Sequence, residues 1–214
     1  KYGGETMPFT EATRRVRALG WEIGLHASYY SWQVPGSLLE QKQQVEAMLG
    51  EPITSIRQHF LRFDARQTPR LQAEAGFTAD ASLGYGKEIG CRAGLAFPFF
   101  WPGTDLLEVS MHLQDVSLLF FSELRRDRAA AIARARALIR RVAEVGGVVS
   151  LSWHTHPMSP GAYDCYELLL ADIAELGGWG CSVAELDAWW RKRRAAVSCT
   201  GTVPARAPFL TPSS

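Results

Sequence analysis

The residues of this sequence best suited to catalysis or metal binding are its five histidines, which follow four apolar segments. These segments are WEIGLH, ITSIRQH, LLEVSMH and VVSLSWHTH, and they end at His26, at His59, at His112 and at the pair His154 and His156. Alternate residues of a strand face opposite sides, so VVSLSWHTH has one small, polar face ending in two imidazoles and one bulky, apolar face. A barrel with polar residues at the carboxyl ends of its strands carries its chemistry there.

Imidazoles that converge at the ends of neighbouring strands suit a divalent metal ion. Zn²⁺ is the preferred candidate, because neutral imidazole is a good zinc ligand and tetrahedral sites with an open position are common. A histidine outside the metal shell could act as general acid or base, since its ordinary pKa lies near neutrality. The alternative is that each histidine is separately a core or surface residue.

Strand-like and helix-like patterns alternate along most of the chain, which predicts an α/β fold with a mainly parallel sheet. Thr10 is a possible N-cap of the first helix, and Gly20 and Gly50 are predicted to end the first and second helices. The segment from Gly84 to Gly103 is rich in glycine, proline and aromatic residues and is predicted to form a long ordered loop at a functional face. The final residues, 197–214, have no periodicity and are predicted to be a disordered tail.

Length and composition fit one globular domain. The chain has 214 residues, 47% hydrophobic and 21% charged, with a formal net charge of +1. This balance gives no reason to expect nucleic acid as a partner, and no apolar run approaches the length of a membrane helix. The four cysteines form no CxxC pair, which argues against a zinc knuckle or a disulfide framework.

Four segments, in this order and spacing, resemble the NodB-homology polysaccharide deacetylases, carbohydrate esterase family four. They are GWEIGLHASYYS, IRQHFLRFD, AGFTADASLGY and VVSLSWHTH, and the resemblance extends from about Arg14 to Trp190. It is closest to a bacterial branch with RxH and WH motifs. The resemblance implies a distorted (β/α)-barrel, often of seven strands, and metal-dependent hydrolysis of N-acetyl groups on the amino sugars of a glycan.

Roles of individual residues follow from the same resemblance. His26 matches the first metal histidine of the family, and His59 is the expected substitute for the second, whose usual position is Tyr30 here. Arg57 matches an arginine that orients the catalytic aspartate in the family, and a plain structural ion pair is the alternative. His154 matches the histidine that protonates the leaving amine.

The remaining expectations concern substrate contacts. Tyr30, Asp80, Tyr85 and His156 are predicted to bind substrate, with a turn carboxylate as the alternative for Asp80. Asp115 could reach the pocket or cap a strand end. The aromatic residues of the long loop could stack on sugar rings or pack over the barrel mouth; they are Tyr85, Phe97, Phe99, Phe100 and Trp101.

One family feature has no counterpart in this sequence. The family's first strand carries an aspartate pair that supplies the base and a metal ligand, and no such motif precedes Gly20. We therefore expect residues 1–196 to form a single deacetylase-like domain that lacks its first strand or strands, with weak metal binding and impaired turnover. The alternatives are an inactive carbohydrate-binding domain and an amidohydrolase acting on a small non-sugar amide.

Overall fold

The computed structural model describes residues 6–121, 126–155 and 161–200, and within them it contains seven short strands and six α-helices. The strands are β1 (Leu25–His26), β2 (Ser55–Arg57), β3 (Ala79–Asp80), β4 (Phe99–Phe100), β5 (Leu107–Glu108), β6 (Leu113–Gln114) and β7 (Leu151–Ser152). The helices are α1 (Phe9–Ala18), α2 (Ser37–Leu49), α3 (Thr68–Glu74), α4 (Arg128–Glu144), α5 (Ala162–Glu175) and α6 (Val183–Thr200). Strands β1, β2, β5 and β7 lie within the four apolar segments but are shorter than them, whereas β4 lies in the segment predicted to be a loop and β6 was not predicted.

The strands form two sheets, which do not close into a barrel within the described residues. Five of them have the order β1-β2-β3-β5-β4, with β4 antiparallel to β5 and the other neighbours parallel, while β6 and β7 form a second parallel pair. The segment between β5 and β6 joins the two sheets, because Met111 donates to the Leu83 carbonyl at 3.0 Å and His112 to the Ser150 carbonyl at 3.2 Å. Strands β1 and β7 each have one partner strand within the described residues. The expected α/β fold, an incomplete (β/α)-barrel, is therefore confirmed.

Apolar residues on the strands pack against the helices in three groups. The first lies between β1, β2 and helices α2 and α3, the second between β6 and helices α4 and α5, and the third beneath α6. Full burial of one Leu or Ile side chain stabilises the fold by about 1.5–3 kcal/mol. The most deeply buried members include Leu38, Ile56 and Leu106 in the first group, Leu113, Leu118 and Leu169 in the second, and Leu107 in the third.

A close approach between β1 and β2 fixes the position of His26. A Cβ added at Gly24 would lie 2.9 Å from the Ser55 carbonyl oxygen, so only glycine fits at this position. Glu22, on the same face, accepts a hydrogen bond from the Ser55 hydroxyl and another from the Ala184 amide at 2.9 Å. The strand before His26 is thereby joined to its neighbour and to the first turn of α6.

The helix boundaries agree with most of the sequence signals. Gly20 and Gly50 follow α1 and α2 with φ of 85° and 78°, which confirms both as helix ends. Thr10 is not an N-cap: α1 already begins at Phe9 after Pro8, whose fixed φ suits a helix start. Helix α6 continues to Thr200, and residues 201–214 lie outside the described part of the chain, where the tail remains a prediction.

Candidate functional site

Three of the predicted histidines lie at the carboxyl ends of the strands, and two of them are in contact. His26 is the last residue of β1, while His59 and His154 each lie two residues beyond the ends of β2 and β7. Nε2 of His26 lies 2.9 Å from Nδ1 of His59, and the two rings meet edge to face. Burial lowers the pKa of His26, as do the nearby positive charges of His59, Arg57 and His154. His26 is therefore neutral at neutral pH, the form that can bind a metal.

Asp115 and His154 form a hydrogen-bonded pair at the same end of the strands. Asp115 follows β6 and is 3% exposed, and its Oδ1 lies 2.7 Å from Nδ1 of His154. The other carboxylate oxygen accepts from the His154 backbone amide at 3.2 Å, and Oδ1 also accepts from the Val116 amide at 2.8 Å. The parallel pairing of β6 with β7 brings the two residues together. Their distance in sequence, 39 residues, gave no sign of the contact.

This contact determines which nitrogen of His154 is available for chemistry. With Nδ1–H donated to Asp115, the free nitrogen is Nε2, on a side chain that is 52% exposed. A buried carboxylate that holds an imidazole in one tautomer is an arrangement that supports proton transfer at the other nitrogen. Asp115 therefore reaches the site, and it also begins the π-helical turn Val116–Phe121.

The side chain of Arg57 links the two sheets. Its Nε donates to the Ala81 carbonyl at 3.0 Å, and Nη1 donates to the Ser152 hydroxyl on β7 at 2.9 Å. Asp80 and Glu108 supply the nearby negative charge. Arg57 thus links β2 across the interior to β7, the strand that carries His154.

Asp80 and Glu108 form a buried carboxyl pair on the neighbouring strands β3 and β5, where they are paired in register. Burial raises the pKa of Glu108 well above its ordinary value, and the charge of Asp80 raises it further; burial also raises the pKa of Asp80. Both shifts favour a proton shared between the two carboxyl groups, which lie near the Arg57 guanidinium.

The buried position of Asp80 corrects its predicted role. It is fully buried, and its Oδ1 accepts from Gln72 at 2.9 Å and from the Ser82 hydroxyl, so a substrate in solution does not reach it. Glu108 was not predicted as a site residue. It accepts from the Leu83 amide at 3.2 Å and from Trp101 Nε1 at 3.1 Å. Its place on the polar face of LLEVSMH was the only sequence signal for it.

The other predicted contacts have different outcomes. Tyr30 and Tyr85 are both exposed, whereas His156 lies outside the described residues. His112 is buried and accepts from the Ser150 amide at Nδ1, so it is a structural residue.

Three loop aromatics pack rather than line the mouth. Phe99 and Phe100 form β4, and Trp101 packs on Phe63 at 5.4 Å between ring centroids. The Arg194 guanidinium lies 3.8 Å from the centroid of the Phe100 ring. The packing alternative therefore holds for this part of the loop.

The histidines fit a metal ion only in part. Nε2 of His26 and Nδ1 of His59 converge at 2.9 Å, whereas a catalytic zinc site takes three protein ligands. Within residues 6–121, 126–155 and 161–200, no three His, Cys, Asp or Glu side chains are grouped to hold an ion. A third protein donor does not come from these residues.

Comparison with known proteins places this geometry in a known fold. No protein-family model matches the sequence, and a search of curated proteins finds no match. A structure described as a polysaccharide deacetylase from Mycobacterium smegmatis superposes with a TM-score of 0.62 at 19% identity, covering 94% of this chain and 72% of the other. The chain has the polysaccharide deacetylase fold.

Two further structures share it. A protein described as a polysaccharide deacetylase from Pseudomonas aeruginosa PAO1 matches with a TM-score of 0.61, and the PuuE allantoinase with 0.63, both at 16% identity. The chain spans 63% of each of these two proteins, and 86% of its own length is covered. The likeness to the NodB-type deacetylases inferred from the sequence is therefore confirmed at the level of the fold. None of the helices in the described ranges has the length and apolar character to cross a membrane.

Proposed function

We propose that the chain is a hydrolase of carboxamide bonds that removes N-acetyl groups from the amino sugars of a glycan. The observation that carries this proposal is the Asp115–His154 pair, 2.7 Å apart, at the same end of the strands as the His26–His59 pair. Polar groups at this end of a (β/α)-barrel are where such folds carry their chemistry.

The proposed role of His154 is proton transfer. Hydrolysis of an amide expels an amine, which leaves readily only after its nitrogen has gained a proton. His154, held through Nδ1 by Asp115, would take up at Nε2 the proton that the attacking water loses, and would then pass it to the amine nitrogen as the C–N bond breaks; Asp115 would stabilise the imidazolium formed in between. Arg57 has no role in this step. It is proposed as a positioning residue that holds β7 through Ser152.

A divalent ion, with Zn²⁺ as the first candidate, is part of the proposal. His26 and His59 would supply two ligands, and the incomplete donor set leads us to expect weak binding. When bound, such an ion would polarise the acyl carbonyl and acidify a water molecule.

A second candidate is hydrolysis of a small non-sugar amide, favoured by the likeness to the PuuE allantoinase. Both candidates use the same histidines and differ in the ligand that fills the mouth. Tyr30 and Tyr85 are both exposed and would contact that ligand. A sugar ring, which is larger than a small amide, would cover more of the two tyrosine rings. An inactive carbohydrate-binding domain is the third alternative.

The experiment offers the chain two substrates in the presence of Zn²⁺ and compares their products. Acetate release from oligomers of N-acetylglucosamine, without ring opening of allantoin, supports glycan deacetylation. Ring opening of allantoin without acetate release contradicts it and favours the second candidate. Binding of the oligomer with neither reaction supports the inactive alternative and contradicts a hydrolase.

A further inference from the structure

Two consecutive residues with unusual backbone conformation directly follow His59. Phe60 and Leu61 both have φ of 53°, in the left-handed region that bulky side chains rarely adopt. The turn is held by hydrogen bonds from the Leu61 amide to the Gln58 carbonyl at 3.0 Å and from the Arg62 amide to the His59 carbonyl at 3.2 Å. Strain of this kind persists where the surroundings fix it, and it clusters at ligand sites.

The strained turn directs an aromatic ring into solvent. The side chain of Phe60 belongs to a residue that is 74% exposed, although burial is what normally stabilises a phenylalanine. Because the ring is exposed, its burial in the core does not explain the unfavourable φ of Phe60. The backbone conformation and the exposed apolar ring both cost free energy. Binding of a ligand to the ring would offset these costs.

Phe60 belongs to a row of exposed rings, which we call the aromatic platform and define as Tyr29, Tyr30 and Phe60. Tyr30 and Tyr29 are 64% and 40% exposed. Their ring centroids are 4.9 Å apart, the Tyr29 and Phe60 centroids are 6.0 Å apart, and both pairs meet edge to face, so that each ring turns its own face toward a ligand. Phe60 also meets the ring of His59 at 4.5 Å, so the platform continues directly into the histidine site.

Arg62 holds the Tyr29 ring of the platform in place. Nη1 of Arg62 donates to the Tyr29 hydroxyl at 2.6 Å, and its guanidinium carbon lies 4.2 Å from the Tyr29 ring centroid and 5.3 Å from that of Trp32. A ring fixed in this way loses little conformational freedom when a ligand binds. It also places a phenol and a guanidinium where hydroxyl groups of a ligand could reach them.

We propose that the aromatic platform binds a pyranose ring of the glycan, next to the sugar whose acyl group faces His154. This inference rests on the proposed function and adds a sugar subsite to it. The C–H face of a pyranose is apolar and flat enough to lie on an aromatic ring, while its hydroxyl groups need polar partners at the rim.

The size of the platform favours a sugar over a second protein. An aromatic side chain buries about 150–250 Å² when covered, so these partly exposed rings offer on the order of 300–400 Å². A stable protein interface takes about 800 Å² from each partner. The platform therefore matches one or two sugar rings and is too small for a protein interface by itself.

The test measures the affinity of the whole chain for a tetramer of N-acetylglucosamine by titration calorimetry, with Phe60→Ala as the variant. Phe9, at the start of α1, is 71% exposed and makes Phe9→Ala a matched control. Loss of the ring at position 60 should weaken binding about tenfold, and the control should change it by less than about twofold. Phe60→Trp, which keeps a stacking surface, should retain binding.

A second variant separates the ring from the strain. Phe60→Gly removes the ring and adopts a φ of 53° without penalty, so its melting temperature should equal or exceed that of the wild type while tetramer binding is lost. A fall in melting temperature equal to that of an ordinary core truncation would show instead that Phe60 serves the fold, and would overturn the inference.

Three other results would also overturn the inference: equal affinities for Phe60→Ala and Phe9→Ala, no binding of the tetramer by the wild type, or a dimer in sedimentation that Phe60→Ala dissociates. Failure of the proposed hydrolase function can be distinguished from failure of the sugar subsite. Binding that depends on Phe60 without acetate release contradicts the hydrolase and supports the subsite, whereas acetate release with binding independent of Phe60 does the reverse.

Discussion

The carboxylate of Asp115 fixes the ring of His154 through two contacts, one to Nδ1 at 2.7 Å and one to the backbone amide at 3.2 Å. The side chain of Asp115 is almost fully buried, whereas that of His154 is half exposed. This relationship joins β6 to β7 and gives one histidine of the site a defined tautomer. It distinguishes His154 from His26, whose nearest hydrogen-bond partner is another imidazole.

Asp115→Asn should lower kcat for acetate release by about 10²-fold or more, because an amide can hold His154 in the wrong tautomer and does not stabilise the imidazolium. KM should change little, since Asp115 does not face the substrate. Steady-state kinetics check both parameters. Asp164→Asn, an exposed carboxylate on α5, is the control and should leave kcat unchanged. A kcat for Asp115→Asn within threefold of the control would contradict the role assigned to Asp115.

Glu108→Gln should change how stability depends on pH. The pKa of Glu108 is raised in the folded chain, so the native state binds more protons than the unfolded state above the ordinary carboxyl pKa of about 4.3. The free energy of unfolding therefore falls as pH rises through that window, with a slope of up to about 1.4 kcal/mol per pH unit for one proton. Glutamine is neutral at every pH and should flatten this slope and stabilise the chain at neutral pH.

Urea unfolding between pH 4.5 and 8 measures this dependence. Glu74→Gln is the matched control, because Glu74 is exposed on α3 and pairs only across one helical turn with Arg70. Parallel pH profiles for the wild type and Glu108→Gln would show that Glu108 is ionised in the folded chain, contrary to the pair that shares one proton with Asp80.

The metal proposal predicts different effects for the three histidines. His26→Ala and His59→Ala should each abolish Zn²⁺ binding, because each removes one of the two nitrogens that meet at 2.9 Å. His154→Ala should retain the metal, since its ring is held by Asp115 instead. Elemental analysis after equilibrium dialysis measures the occupancy. Full occupancy in His26→Ala, or none in the wild type, would contradict the ligand assignment.

Gly24→Ala should destabilise the chain by about 1–3 kcal/mol, as overpacking does elsewhere, because the added Cβ would lie 2.9 Å from the Ser55 carbonyl oxygen. Gly86→Ala is the control: it has open space around its Cβ position and no unusual φ. Thermal unfolding compares the two. Equal melting temperatures would mean that β1 can move away from β2, so that the position of His26 does not depend on Gly24.

Sequence patterns predicted the local features of the fold well. The period-2 pattern located His26, His59 and His154 at strand ends, and Gly20 and Gly50 ended their helices as predicted, because these features depend on nearby residues alone. The length of the strands was overestimated. Only two or three residues of each apolar segment form the regular ladder that defines a strand, although all of LLEVSMH is buried.

Long-range features were not accessible from the sequence. The pairing of Asp80 with Glu108 depends on the register between β3 and β5, and the contact of Asp115 with His154 depends on the pairing of β6 with β7. A single sequence contains neither register. Asp80 was therefore assigned to substrate although it is buried, and Glu108 was missed. The strained turn at Phe60 likewise has no local signal, because glycine is the residue expected at such a φ.

The most direct test of the central claim is acetate release from N-acetylglucosamine oligomers by the wild type and by His154→Ala, measured at equal Zn²⁺ occupancy. If His154 transfers the proton, the wild type should release acetate and the variant should release it at least about 10²-fold more slowly, with unchanged metal content and melting temperature. Equal rates for the two proteins would contradict the assignment of proton transfer to His154.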